Sequence, residues 1–317
     1  MTVINVRHLI ERINIAFPHS SFSEGREMRE LTSFRVGGAA EIFVEPTEWG
    51  ELFRLKEWTA KKGIPFTLIG GGANILVADE GISGLTAATT ALSGIKRTEE
   101  GLCAEAGTEI SAVSAAAAEL GLSGLEFIYR MPGSVGGAVW MNARCYGVSI
   151  AERLAWVDYI DESGNEKRYI PREEDFAYKR SPFQQNGRGN GWIITRACFT
   201  LSQGKGESIK AEMEEHARDR EEKGHFRYPC AGSIFKNNRD FGAPSGKLID
   251  ALGLKGTRHG DAMIAPFHGN IIINTGQARA EDILALIELV EKAVRESYGF
   301  ELEREILLVG DWPETQV

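Results

Sequence analysis

Residues Gly124–Gly147 read GLEFIYRMPGSVGGAVWMNARCYG, and the fold turns on how that stretch is understood. It holds a Pro132-Gly133 turn, the pair Gly136-Gly137 and a short apolar run ending at Asn142. Its five glycines let the backbone turn tightly and approach a bulky group. Successive N–H groups in such turns make a concavity suited to a pyrophosphate. Taken alone, the stretch reads as a structural turn between strands. Two further segments have the same character. Ile69–Val77, IGGGANILV, is a second Gly-rich turn between apolar runs, and Thr32–Ala40, TSFRVGGAA, precedes it.

Toward the N-terminus, the spacing predicts a helix over residues 1–20 and then a polar loop, SFSEGRE. A strand follows the Gly37-Gly38 turn and carries Ile42, Phe43 and Val44. Leu52, Leu55 and Trp58 fall on one face of a helix over 47–62, which Gly63 ends. Residues 65–69 and 75–77 read as strands on either side of GGGAN. A Rossmann fingerprint would open a helix after the first strand; here the glycines open into a strand, which excludes that reading. A second unit has a strand at 102–106 and an Ala-rich helix at 109–120. A hairpin follows around Ser163-Gly164, and then a strand at 192–201. Near residue 203 the chain becomes highly charged (KAEMEEHARDREEKG) and predicts a solvated helix. After it come a short helix at 246–252, a strand at 270–274, a long helix at 280–298 stopped by Gly299, and a closing strand at 306–309.

The 317 residues are enough for two domains, and 43% hydrophobic with 26% charged residues is ordinary for a soluble globular chain. The net charge of −9 disfavours a nonspecific nucleic-acid binder. The N-terminal segment has charges among its apolar residues and lacks the core of a signal peptide, and no apolar run is long enough to span a bilayer. Cys103, Cys145, Cys198 and Cys230 are far apart without CxxC, so neither a metal site nor a disulfide framework is indicated. A cytoplasmic, reduced, monomeric protein is expected.

Three short segments carry residues fit for chemistry. In AGSIFKN, Ser233 follows a glycine; a serine there is most often a turn former, and it donates a proton only where the alkoxide is transient or stabilised. In YKRSPF, Arg180 is either a solvated arginine or a planar clamp for carboxylate or phosphate. In LEREILLVG, Glu305 is either an edge charge or a carboxylate at a strand mouth.

The three Gly segments, AGSIFKN, YKRSPF, and TRHGDAMIAPFHGNIIIN with LEREILLVG form an ordered set. Together they resemble the UDP-N-acetylenolpyruvoylglucosamine reductases over about residues 25–310. The resemblance implies an α+β fold: a two-subdomain FAD-binding domain of the vanillyl-alcohol-oxidase (PCMH) type over residues 1–202, with subdomains of about 1–93 and 94–202. An α+β substrate domain would follow over 203–317, with the active site in the cleft between the domains. It implies non-covalent FAD, held by Gly70, Gly71, Gly72, Asn74, Pro132, Gly133, Ser134, Gly136, Gly137 and Asn142, with Arg35 a weaker candidate. It implies NADPH as reductant and UDP-N-acetylglucosamine enolpyruvate as substrate. Hydride would go to C3, Ser233 would protonate C2, and Arg180 and Glu305 would stabilise the charge on the carboxylate. Glu305 would do so only when protonated or through hydrogen bonding. Tyr178, Lys236, Asn237 and His268 would contact substrate. The product, UDP-N-acetylmuramate, would serve bacterial wall growth and division.

Some positions depart from the family pattern. Arg144 and Cys145 stand where small residues are usual, Ala265-Pro266-Phe267 precede His268 in place of Ser-Glu-Lys, and Arg304 stands where proline is common. An insertion with a gating tyrosine is absent between Asp175 and Trp192, which resembles the shorter, second type of the family. Other readings are a sugar or lactone oxidase of the same FAD class, though no Gly segment offers a histidine for flavin attachment, and a non-catalytic nucleotide-sugar binder.

Overall fold

The computed structural model describes residues 6–18, 20–185, 188–189 and 191–313. It divides into two compact units. The first takes Met1–Ser23, Ile42–Gly71 and Leu85–Arg218; the second takes Glu24–Glu41, Gly72–Gly84 and Asp219–Val317.

In the first unit, helix α1 spans Val6–Ala16 and α2 spans Trp49–Lys62. Gly63, left-handed at φ 65°, ends α2 by returning its N–H to Ala60 O at 3.1 Å. Leu9, Ile13, Leu52, Leu55 and Leu85 form one core. The strand Phe66–Ile69 pairs in parallel with Leu85–Ala88. A second core lies on a five-stranded antiparallel sheet, in the order Glu166–Tyr169, Leu154–Ile160, Ile193–Phe199, Leu102–Glu105, Ile95–Arg97. Helix α3 (Ile110–Glu119) buries Ile110, Val113, Ser114, Ala117 and Ala118, an i, i+3, i+4 stripe. Helix α4 (Val135–Trp140) buries Val135, Ala138 and Val139. Helix α5 (Gly206–Glu222) carries the chain out of this unit into the second.

In the second unit, Ile75–Val77 pairs in parallel with Leu307–Val309. Arg258–His259, Ala262–Ile264 and Ile272–Asn274 form a three-stranded antiparallel sheet. Helix α6 covers Ser245–Ala251, and α7 covers Ala280–Tyr298. Helix α7 buries Ile283, Leu286, Ile287, Val290 and Val294. Its first free N–H groups, on Ala280 and Glu281, donate to the Asp79 carboxylate at 3.0 Å each. Gly299 stops it at φ 77°. Among the described residues no helix is long and apolar enough to cross a membrane.

Three expectations need correction. Gly136-Gly137 is helical rather than a turn. Ser134 caps α4, and a Cβ on Gly136 would stand 3.0 Å from Ala106 Cβ, so the glycine is needed for close packing inside a helix. The polar segment after α1 contains a strand, Phe22–Glu27. Cys103 and Cys198 are joined by a disulfide where none was indicated. They are 95 residues apart and become opposed only when their strands pair. The ends of the expected first helix, residues 1–5 and 19, lie outside the described residues.

Candidate functional site

In the first unit the two Gly-rich loops meet each other. A Cβ on Gly70 would lie 2.3 Å from Ser134 Oγ, and one on Gly71 2.9 Å from Gly133 Cα. Ser134 Oγ accepts the N–H groups of Gly71 at 3.3 Å and Gly137 at 3.4 Å. Val135 N–H donates to Thr108 O and Gly136 N–H to Ala106 O, both at 2.8 Å. The N–H groups at 135–137 are therefore used within the protein, while those of Gly133 and Ser134 donate to no described protein group.

Helix α4 links this loop to the arginine segment. Asn142, 3% exposed and left-handed at φ 42°, donates through Nδ2 to Ala177 O at 2.8 Å and accepts Ala151 N–H through Oδ1 at 3.2 Å. Ser181 Oγ donates to Trp140 O at 2.7 Å. Between them, Ala177 and Arg180 exchange both backbone hydrogen bonds around Tyr178-Lys179, with Lys179 at φ 57°. The result is a tight turn braced against the end of α4, with Arg180 and Tyr178 exposed on it. Arg144 and Cys145 lie beyond it in a hairpin with Val148–Ser149; at its tip Tyr146 stacks on His216 at 3.9 Å.

In the second unit, the turn at Gly72, Ala73 and Asn74 differs from residues 135–137. Among the described residues these three successive N–H groups donate to no protein acceptor, and Gly72 is buried. Gly72 is at φ 63°, and a Cβ there would stand 1.9 Å from Leu31 O. Orphaned donors in a row are what a phosphate-bearing cofactor needs. Asn74 also donates through Nδ2 to Glu305 O at 3.0 Å, and its own O accepts Leu307 N–H at 3.1 Å. The turn is thereby joined to the segment carrying Glu305.

Glu305 N–H in turn donates to Ile234 O at 2.7 Å. Ser233 bridges Ile271, and Phe235 bridges Arg304. This unit thus assembles Asn74, Ser233 and Glu305 on adjacent segments. Ser233 is half-buried, and its hydroxyl makes no hydrogen bond to a described protein group; Glu305 is 9% exposed. Lys236 Nζ pairs with Glu303 at 2.6 Å. Asn237 Oδ1 accepts Ser245 N–H at 2.9 Å and Lys236 O accepts Ser245 Oγ at 2.7 Å, which ties both residues to the start of α6. His268 Nδ1 accepts Asn270 N–H at 3.1 Å, so the ring is neutral at that nitrogen, and burial pushes its pKa down. Arg304, where proline is common, makes a two-pronged bond to Glu291 of α7 at 2.5 and 2.8 Å.

The bracing residues Ser181, Ser245 and Asn270 were not picked out by the sequence reading. Asn270 left one signal, a polar residue opening the apolar run IIIN after a glycine.

Residues 40–169 match a family model described as an FAD binding domain, and the chain is an FAD-dependent oxidoreductase of α+β fold. Residues 224–309 match the C-terminal domain of UDP-N-acetylenolpyruvoylglucosamine reductase. The chain belongs to the UDP-N-acetylenolpyruvoylglucosamine reductase family. It is 44% identical over 309 residues to the Treponema denticola protein of that name, covering 92% of this chain and 96% of that one. It is 38% identical over 326 residues to the Treponema pallidum protein, covering 90% and 92%. The solved UDP-N-acetylenolpyruvylglucosamine reductase of Thermus caldophilus superposes with a TM-score of 0.75 at 34% identity, over 93% of this chain and 99% of that one.

Proposed function

We propose that this chain reduces UDP-N-acetylglucosamine enolpyruvate to UDP-N-acetylmuramate with NADPH, as a cytoplasmic step in making peptidoglycan precursors. The observation that carries the reading is likeness over nearly the whole length, at 44% identity, to a reductase of that name. Arg180, Ser233 and Glu305 are each present on a braced segment. FAD, when bound, would supply the two-electron carrier between NADPH and substrate.

The residues of the chain would do the rest. The N–H groups of Gly72, Ala73 and Asn74 would take pyrophosphate oxygens. Gly70, Gly71, Pro132, Gly133, Ser134, Gly136 and Gly137 would hold closely packed backbone around the cofactor. Arg180 would set its fork against the substrate carboxylate and balance the charge that builds there when C3 takes hydride. Ser233 would pass its hydroxyl proton to C2. Glu305 would assist through a hydrogen bond or in its protonated form. Tyr178, Lys236, Asn237 and His268 would contact the sugar nucleotide, although Asn237 and His268 each already commit one side-chain atom to the protein.

An anaerobic spectrum tests the proposal. NADPH should bleach the flavin bands, and the enolpyruvyl substrate should restore them. Bleaching without recovery would leave an FAD oxidoreductase with another acceptor. A protein that stays colourless after FAD is supplied would overturn the flavin reading itself.

A further inference from the structure

Ser233 lies on a segment that is oddly short of backbone pairing. Toward Glu303–Glu305 the pairing is ordinary: Lys236 N–H donates to Glu303 O at 2.8 Å, and Glu305 N–H to Ile234 O at 2.7 Å. On the opposite edge the last backbone bond is Ile234 N–H to Asn270 O at 2.9 Å. Beyond Asn270 the chain leaves in a tight turn, closed by Ile271 N–H to His268 O at 3.1 Å and His268 N–H to Ala265 O at 3.2 Å. No strand remains there to meet Phe235, which is 1% exposed.

The side chain of Asn270 fills that gap. Its Oδ1 accepts Phe235 N–H at 2.9 Å, and its Nδ2 donates to Phe235 O at 2.8 Å. Asn270 is 3% exposed, and both ends of its amide are used. A carboxamide is the short side chain that offers a donor and an acceptor at once, so it can stand in for a peptide group. The consequence reaches Ser233. Its hydroxyl has no hydrogen bond to a described protein group, so the face on which the side chain stands is set by the register of its backbone. In extended chain a slip of one residue would present Ile234 in its place. The bonds to Phe235 hold only in the observed register.

We propose that Asn270 is the positioning residue of Ser233: its carboxamide completes the pairing of the 233–236 segment and fixes where the hydroxyl is presented. The inference rests on the reading of Ser233 as proton donor, and the experiment separates the two. Flavin-loaded wild type, Asn270→Asp, Ser233→Ala and the double variant are followed through both half-reactions across pH. At about pH 8 the introduced carboxylate faces Phe235 O without a proton to donate. Asn270→Asp should then slow reoxidation by the enolpyruvyl substrate by about 5- to 150-fold, the range for orphaning a buried group. Flavin affinity and reduction by NADPH should change little. As pH falls, the neutral acid regains an O–H for Phe235 O, and the loss should shrink. The titratable and charged groups around this turn are His268 itself, His225, Asp250 on α6, Lys223 and Lys255, with Lys236, Arg304 and Glu305 on the paired segments; all are present in wild type, whose profile is the reference. The double variant should be no slower than Ser233→Ala alone.

A pH-independent loss shared equally by both half-reactions and by flavin affinity would overturn the proposal, as would full multiplication of the two losses in the double variant. If Ser233→Ala leaves reoxidation untouched, the proton-donor reading fails instead. Hydrogen exchange at the Phe235 amide, read as protection relative to wild type at each pH so that the intrinsic slowing in acid cancels, then decides the clamp: protection should fall in Asn270→Asp at about pH 8, where the carboxylate repels Phe235 O, and recover in acid. Unchanged protection would refute it.

Discussion

Replacing Asn142 by alanine separates two roles that this residue could have. As a flavin ligand, it would cost affinity for FAD. As a brace, it would cost stability and act on Arg180. The distances favour the brace, because the buried amide already bonds Ala177 O at 2.8 Å and Ala151 N–H at 3.2 Å. Each neutral hydrogen bond is worth about 1 kcal/mol net, and Ala177 O keeps Arg180 N–H as a partner at 3.0 Å. The left-handed conformation at φ 42° adds roughly 1 kcal/mol for a residue without asparagine's local bonding. The total is about 3 kcal/mol, a loss of more than a hundredfold in the folding equilibrium. Urea unfolding at a fixed concentration of FAD measures it, since bound ligand shifts the midpoint by mass action. Fluorescence titration gives the flavin affinity, which should stay near wild type. Stopped-flow should show reduction by NADPH preserved and reoxidation by substrate slowed, because the Arg180 turn has lost its anchor to α4. A tenfold or larger loss of flavin affinity with an unchanged urea midpoint would refute the reasoning and return Asn142 to the cofactor site.

Other perturbations follow from the same geometry. Arg180→Lys keeps the charge but loses the fork, so reoxidation should fall by at least about tenfold with reduction spared, as expected for one charge-assisted bond; stopped-flow rates near wild type would make Arg180 a surface residue. Gly72→Ala places a Cβ 1.9 Å from Leu31 O at φ 63°, so the turn must move. Fluorescence titration should then show FAD affinity down by about tenfold or more, from roughly 1–2 kcal/mol of left-handed strain plus displaced N–H groups. Burial comes first among the causes that hold His268 and His225 below the usual histidine pKa. The unfolded chain therefore takes up protons that the native state refuses, so stability is complete above about pH 6.5 and falls as pH drops toward the depressed values. A melting temperature flat from pH 8 to 5 would contradict this.

Much of the fold was legible because its periodic elements are strong. The apolar stripe of α7, its stop at Gly299 and the strands flanking GGGAN appear where periodicity puts them. What escaped depends on contacts far apart in the chain. Gly136-Gly137 has the composition of a turn, yet a serine cap and the carbonyls of Ala106 and Thr108 draw it into helix. Cys103 and Cys198 are unremarkable until their strands pair. Glu24–Glu41 and Gly72–Gly84 pack with residues 219–317, and no local pattern shows that a segment near residue 75 belongs with a strand near 308. Motif resemblance singled out Arg180, Ser233 and Glu305, whereas Ser181 and Asn270, which lie within the same motif segments, show their bracing role only through contacts made on folding.

The asparagines that brace the backbone share one chemistry. The segments at 177–180 and 233–236 lie outside regular ladders. Their own backbone groups then lack ladder partners, and burying them unpaired is costly. Asparagine solves this with a donor and an acceptor on a short arm. The buried asparagines Asn142, Asn270 and Asn274 all bond backbone groups. Asn274 donates to Phe34 O at 3.1 Å while its Oδ1 accepts the N–H groups of Gly276 at 3.0 Å and Ala278 at 3.1 Å, shaping the approach to α7. Aspartate in any of the three would lose the donor half, and leucine both halves. In each unit these backbone contacts are set by carboxamide geometry more than by charge, and a search for titratable residues does not find them.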